Sequence, residues 1–247
     1  MSQNQIRLES FVKLMAEAFG DRSKCIVLTG SHARGEALPS SDIDLWVFLD
    51  EVQFFDLTTI GNIVERVGPG REINPQCTSF SEVNSGIFRD QFSPVQLHMD
   101  GVILQGQLDL PKPSPTDLLN QAGTIAACVM LSARHYITAQ EPEEHLAKGK
   151  LQKWLLKPLM WALRYEIGWR VGRYPRSFAH IMQHAFSPEA IRLVQVYQQL
   201  LEQTFSGPWI PEVKRAESVA RLVMSIAEKH NKSTEPTLPG KRENVYG

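Results

Sequence analysis

The sequence predicts an α+β fold in two parts: a domain of strands and helices over residues 1–110, then an all-α helical bundle over 111–230. Three observations carry this. Apolar runs of strand length alternate with helical periodicity only before residue 110. Pro111, Pro113 and Pro115 then mark a boundary, beyond which the pattern is helix after helix. The charge also changes sign there. Residues 1–110 hold 8 basic and 15 acidic side chains, net −7, whereas residues 111–247 hold 18 and 12, net +6. The overall charge of −1 is a cancellation between unlike halves, which is a lead about partners.

Composition excludes several classes. With 43% hydrophobic residues the chain builds a real core and is not disordered. No apolar run approaches the roughly 18 residues that a membrane span needs. The N-terminus, MSQNQIRLES, lacks the layout of a signal peptide. Cys25, Cys77 and Cys128 are scattered without a CxxC pair, as in a reduced, cytoplasmic protein. Near-neutral charge argues against a general nucleic-acid binder.

The elements follow in order. Ile6, Phe11, Val12, Met15, Ala18 and Phe19 repeat at helical spacing, and Gly20-Asp21 stops them. Cys25-Ile26-Val27-Leu28 reads as a strand ending at Thr29-Gly30. A turn-rich loop (Gly35, Pro39, Ser40, Ser41) leads to a second strand, Asp42 to Leu49. Helical period returns over 55–67, and Gly68-Pro69-Gly70 breaks it. Residues 71–92 read as strand and loop, and Pro94 opens a third strand from Val95 to Leu104. Helices are expected at roughly 116–140, 146–171, 187–204 and 211–230. Residues 231–247 have almost no apolar content and read as a mobile tail.

The chemistry-bearing segment is Gly30-Ser31-His32-Ala33-Arg34-Gly35 followed by Ser41-Asp42-Ile43-Asp44-Leu45. Alternation along a strand puts Asp42 and Asp44 on one face and Ile43 and Leu45 on the other. Two neighbouring carboxylates repel unless a divalent cation relieves them, and hard oxygen ligands suit Mg²⁺. Gly30-Ser31, where a strand gives way to a helix, offers close backbone approach, a hydroxyl and unpaired N–H donors for a phosphate. Together these suit phosphoryl transfer.

GSHARGEALPSSDIDLWVF resembles the signature of the nucleotidyltransferase superfamily that includes DNA polymerase beta: a Gly-Ser turn, about ten residues, then two aspartates. It is most similar to the small bacterial members, the aminoglycoside and lincosamide nucleotidyltransferases and the minimal ones paired with toxins. The resemblance is specific over residues 25–49. It implies a small mixed sheet carrying Mg²⁺ and ATP (or another NTP), with Gly30 and Ser31 on the triphosphate, Asp42 and Asp44 on metal, and Arg34 near the phosphates.

The family usually adds a third acid from a neighbouring strand, as metal ligand or base. Read as a strand, Pro94–Val102 puts Gln96, His98 and Asp100 on one face. Asp100 is therefore a candidate third acid and metal ligand, and His98 a candidate base. By the family pattern Gln96 stands where the acid belongs, and Asp100 lies roughly 13 Å further along a strand. Glu72 and Asp90 are lesser candidates.

Between Lys148 and Arg176 lie eight basic residues and one acid, Glu166. At about 100° per residue, Lys150, Lys153, Lys157 and Arg164 share one helix face beside Trp154, Trp161 and Tyr165, with Pro158 kinking the helix. Lys150 and Lys153 are candidate phosphate contacts. His180 and His184 stand at i, i+4 but have no acid or Cys partner nearby. The expected activity is adenylyl transfer from ATP to a hydroxyl of a small molecule such as an antibiotic. The alternatives are a toxin-adenylylating protein and, because of Gln96, a silent nucleotide-binding module. No membrane partner is expected, nucleic acid ranks low, and oligomeric state is left open.

Overall fold

The computed structural model describes residues 3–39, 41–68, 72–85 and 94–234. The chain divides into two compact units, Met1–Gln121 with Ile167–Ala185, and Ala122–Glu166 with Phe186–Gly247. This partition differs from a single break at 110/111. The helix Pro115–Thr138 begins in the first unit, and residues 167–185 return to it.

In the first unit the N-terminal helix Gln3–Phe19 buries Phe11, Met15 and Phe19, a four-residue spacing that makes one apolar stripe. Four strands follow: β1 Ser23–Thr29, β2 Ile43–Leu49, β3 Ile73–Ser79 and β4 Val102–Gly106. Their order is β3-β2-β1-β4. β1 is antiparallel to both β2 and β4, and β2 is parallel to β3, so the sheet is small and mixed as expected.

Each face of the sheet has its own core. Ile43, Leu45, Val47 and Leu49 of β2 join Ile26 and Leu28 under the helices Gln3–Phe19 and Phe54–Val67. Trp46 and Phe48 join Cys25, Val27, Val83 and Leu97 on the opposite face. Phe48 stacks on Phe80 with centroids 4.6 Å apart. The period of two thus places Asp44 on the Trp46 and Phe48 side, away from the two covering helices.

The expected third strand is only partly there. Residues Val95–Met99 form a helical turn, entered through Pro94, with Val95 and Leu97 buried. Asp100 closes the turn through its N–H to the Gln96 carbonyl, 2.9 Å, and β4 starts only at Val102. Proline fits the start of a helical turn better than a strand interior, and a helical turn has no period-two face. The alternation that grouped Gln96, His98 and Asp100 therefore does not exist. Within 71–92, Ile73–Ser79 is strand, and a capping box of Ser79 and Glu82 opens the short helix Phe80–Asn84. Asp90 lies outside the described residues.

One ion-pair network fixes the frame of this unit. Arg22 forks onto the fully buried Asp56 at 2.9 and 2.8 Å and reaches Asp50 at 3.2 Å. Asp56 also accepts from the Gln53 N–H, which caps the helix Phe54–Val67. The Arg22 hydrogen bonds, aided by Gln53, hold the Asp56 carboxyl below the usual carboxylate range. A depressed native pKa stabilises above the unfolded value of about 3.9, and that contribution is lost as pH falls through the folded value. Asp56→Ala is expected to lower the Tm by about 3 °C at neutral pH, with the difference from wild type shrinking in acid melts.

The second unit is helical. Leu151, Leu155, Leu159, Leu163, Val194, Val213, Ala216 and Ala220 are among its buried residues. Gly123 matters because any β-carbon there would meet the Ala227 methyl at 2.9 Å, so a bare backbone lets the helices Pro115–Thr138 and Ile210–Thr234 approach closely. The expected helix 146–171 is a π-helical stretch, Leu146–Leu156, running into an α-helix, Lys157–Val171, with Pro158 in the first turn of the latter. The last helix continues to Thr234, into the expected tail; residues 235–247 lie outside the described residues. Among the described residues no helix is long and apolar enough to cross a membrane.

Candidate active site

The site grows from the end of β1. Thr29 is extended, and Gly30 then takes a positive φ of 71° to start the short helix Gly30–Arg34. Only glycine adopts that angle freely. It is required for a second reason: a β-carbon at position 30 would collide with Oδ2 of Asp44. The antiparallel register pairs Thr29 with Asp44, so the Gly-Ser turn and the β2 carboxylate are brought together by the sheet itself. Thr29 Oγ1 also donates to the Asp44 carbonyl at 3.4 Å. Gly30→Ala is expected to displace the Asp44 carboxylate and reduce kcat/KM by about 10²-fold with the fold retained, read by steady-state kinetics alongside circular dichroism.

The loop from the turn back to β2 is tied at several points. Gly35 ends the short helix with φ 76°, and the Glu36 N–H bonds the Ser31 carbonyl at 2.9 Å. Ser41 closes a small turn, its N–H donating to the Leu38 carbonyl and its Oγ accepting from the Leu38 N–H, both 2.9 Å. His32 Nε2 lies 3.3 Å from the Ser41 carbonyl, to which it donates when that nitrogen is protonated. His32 thus links the Gly-Ser turn to the residue before Asp42. Asp42 is exposed just ahead of β2, and Asp44 is partly buried within it. Strand parity puts Asp44 on the Trp46 and Phe48 face of β2, and Asp42 lies one residue before the strand begins.

Two further residues come from β3 and the residue just before it. The Ile43 N–H donates to the Glu72 carbonyl at 2.7 Å, and Ile43 pairs with Ile73 in the parallel register. Glu72 therefore stands beside Asp42 at the mouth of the neighbouring strand. Its carboxylate is partly exposed and pairs with Arg7 of the N-terminal helix at 2.6 Å. One position on, Asn74 pairs with Asp44, and its Nδ2 donates to Asp44 Oδ1 at 3.2 Å.

The residues expected from the 94–102 segment do other work. Asp100 is fully buried, and its Oδ2 accepts from Arg34 Nη1 at 2.8 Å. Arg34 Nε donates to Glu36 at 2.8 Å. Burial opposes the Arg34 charge, but Asp100 and Glu36 outweigh it and raise its pKa. Arg34 is thus a brace between the Gly-Ser helix and the Asp100 turn. His98 lies on the helical turn, and its pKa is lowered by burial, with the Pro111 and Leu110 backbone partly opposing. Among the described residues no three His, Cys, Asp or Glu side chains are grouped as a metal cage, so Asp42, Asp44 and Asp100 do not form the expected triad.

The basic face is also altered. A π-helical stretch does not keep the α-helical phase over Leu146–Leu156. Arg164 is buried, at 1% exposure, rather than on a solvent face. Lys150 pairs with Glu141 and lies over the Tyr136 ring. Lys153 is exposed beside Trp154. Both belong to the second unit.

The donor set fits Mg²⁺. That ion is commonly held by one or two carboxylates plus substrate phosphates, without an all-protein cage. Asp42 and Asp44 would supply two oxygen ligands, and Asp44 Oδ2 packs against the Gly30 backbone.

A family model described as a nucleotidyltransferase domain matches residues 8–74, the stretch that holds Gly30, Ser31, Asp42, Asp44 and Glu72. Among solved structures, the spectinomycin adenyltransferase AAD(9) from Enterococcus faecialis, determined with ATP and spectinomycin, is similar with a TM-score of 0.51. The likeness spans 90% of this chain and 98% of that one at 13% identity, so it shows a shared fold. No curated protein matches by sequence. The first unit therefore carries a nucleotidyltransferase domain, and the chain is an enzyme of the nucleotidyltransferase type.

Proposed function

We propose that this enzyme is a cytoplasmic, Mg²⁺-dependent adenylyltransferase that moves AMP from ATP to a hydroxyl of a small molecule, an antibiotic of the aminoglycoside or aminocyclitol class. The observation that carries this is the packing of Asp44 Oδ2 against Gly30, which joins the carboxylate strand to the phosphate turn. Asp42 and Asp44 hold the metal, which when bound neutralises charge on the phosphates. The Gly30 and Ser31 turn receives the triphosphate. In the second unit Lys150 is engaged by Glu141, and Lys153 is exposed beside Trp154.

Glu72 replaces Asp100 and His98 in the role of third acid. Its backbone sits next to Asp42 at the start of the parallel neighbour strand, but its carboxylate is turned to Arg7 of the N-terminal helix, so it must leave Arg7 and swing round the strand end to accept a proton from the attacking hydroxyl. Gln96 lies on a helical turn, so its standing in the acid's position rests on the family pattern alone. This weakens the silent-module alternative. The coverage of the helical half by the AAD(9) likeness favours a small acceptor over a toxin partner, since minimal toxin-paired enzymes resemble the N-terminal part alone.

The test is pyrophosphate release from ATP and Mg²⁺ over a panel of spectinomycin, streptomycin and lincosamide acceptors, with mass spectrometry of the products. Adenylylated product from at least one acceptor is expected. ATP binding by calorimetry without release across the panel would reject an acceptor of these classes.

A further inference from the structure

Asp44 is held by more than its place in the strand. Its two oxygens have different surroundings: Oδ1 accepts the side-chain amide of Asn74 at 3.2 Å, and Oδ2 faces the bare backbone of Gly30. The parallel register makes this arrangement reproducible, because Asp44 and Asn74 are direct partners across β2 and β3 and share a sheet face. An amide is suited to the task. It donates without carrying a charge that would compete with a cation, and its two N–H donors allow a fixed carboxylate contact.

We propose that Asn74 is a positioning residue for Asp44. It fixes Oδ1 toward β3 and thereby sets Oδ2 toward the Gly-Ser turn before metal and nucleotide arrive. A carboxylate freed of this bond rotates about its terminal torsion, which is broad and roughly two-fold, and spends part of its time misaligned. Outer partners that orient metal ligands are worth about 10- to 100-fold in metal affinity or activity. The inference rests on the reading of Asp44 as a metal ligand.

The experiment measures Mn²⁺ binding by electron paramagnetic resonance with a non-hydrolysable ATP analogue, and separately kcat and KM. Asn74→Leu keeps the size but removes the donor. Asn74→His returns an N–H at the position of the amide nitrogen. Asn74→Val, which suits a strand, is the second donor-free variant should Asn74→Leu fold poorly. The expected result is about a 10-fold weaker Mn²⁺ affinity and a similar fall in kcat for the donor-free variants, an unchanged acceptor KM, and substantial recovery in Asn74→His. Wild-type Mn²⁺ affinity in a folded donor-free variant, or no recovery by His, overturns the proposal. Asp44→Asn is the reference. If it too binds Mn²⁺ like wild type, the metal role of Asp44 has failed; if it alone loses the metal, only the role of Asn74 has failed.

Discussion

Asp42→Asn and Asp44→Asn are each expected to lower Mg²⁺-dependent ATP turnover by about 10³-fold or more, with little change in Tm. The size follows from the several kcal/mol that a bound cation supplies to a transferring phosphoryl group, at about 1.4 kcal/mol per tenfold. The specificity follows from the geometry. Asp42 is exposed ahead of β2, and Asp44 packs against Gly30 and Asn74, so an amide of the same size keeps the packing and loses only the negative charge. Pyrophosphate release across a Mg²⁺ titration, with thermal melts on the same samples, checks this. Turnover that persists in both variants would remove the two aspartates from the chemistry. Turnover lost together with the fold would make them structural.

Part of this site was legible in the residues alone, and the reason is local. Period-two alternation from Ile43 to Leu49 fixes which face each β2 side chain takes, so the facing of Asp44 needs no tertiary information. A glycine between an apolar strand and a helix likewise signals a special backbone angle. What defeated the reading lay in non-local pairing. Glu72 was named only as a lesser candidate, because it is the parallel register of β3 beside β2 that places its backbone next to Asp42, and that register closes across about thirty residues of chain. Asn74 was invisible for the same reason. The Val95–Met99 segment failed differently. Its apolar positions fit either period over so few residues, and Pro94 was the signal that favoured a helical turn. Beyond residue 145 the helical content was readable, but a π-helical stretch shifts the phase, and Arg164, expected on the shared basic face, lies in the interior.

Glu72→Gln and Asp100→Asn separate the two candidates for the third acid. Glu72→Gln is expected to reduce kcat by about 10²- to 10⁴-fold, the range for loss of a positioned proton acceptor, while KM for ATP changes little. Its Tm should fall only slightly, because the lost Arg7 pair is partly exposed and such pairs contribute little to stability. Asp100→Asn should behave in the opposite way. The carboxylate is fully buried against the Arg34 guanidinium, which Glu36 also holds, and an amide there leaves a buried cation short of charge. The expected effect is a drop in Tm, with the defect in turnover following the folded fraction. Arg7→Gln completes the comparison: if Glu72 is the proton acceptor, freeing it from Arg7 should leave kcat within a few-fold of wild type, whereas a purely structural Glu72 would make Arg7→Gln and Glu72→Gln equally harmful. A Glu72→Gln variant with normal kcat, together with an Asp100→Asn variant that is folded and inactive, would return the third acid to the β4 side of the sheet.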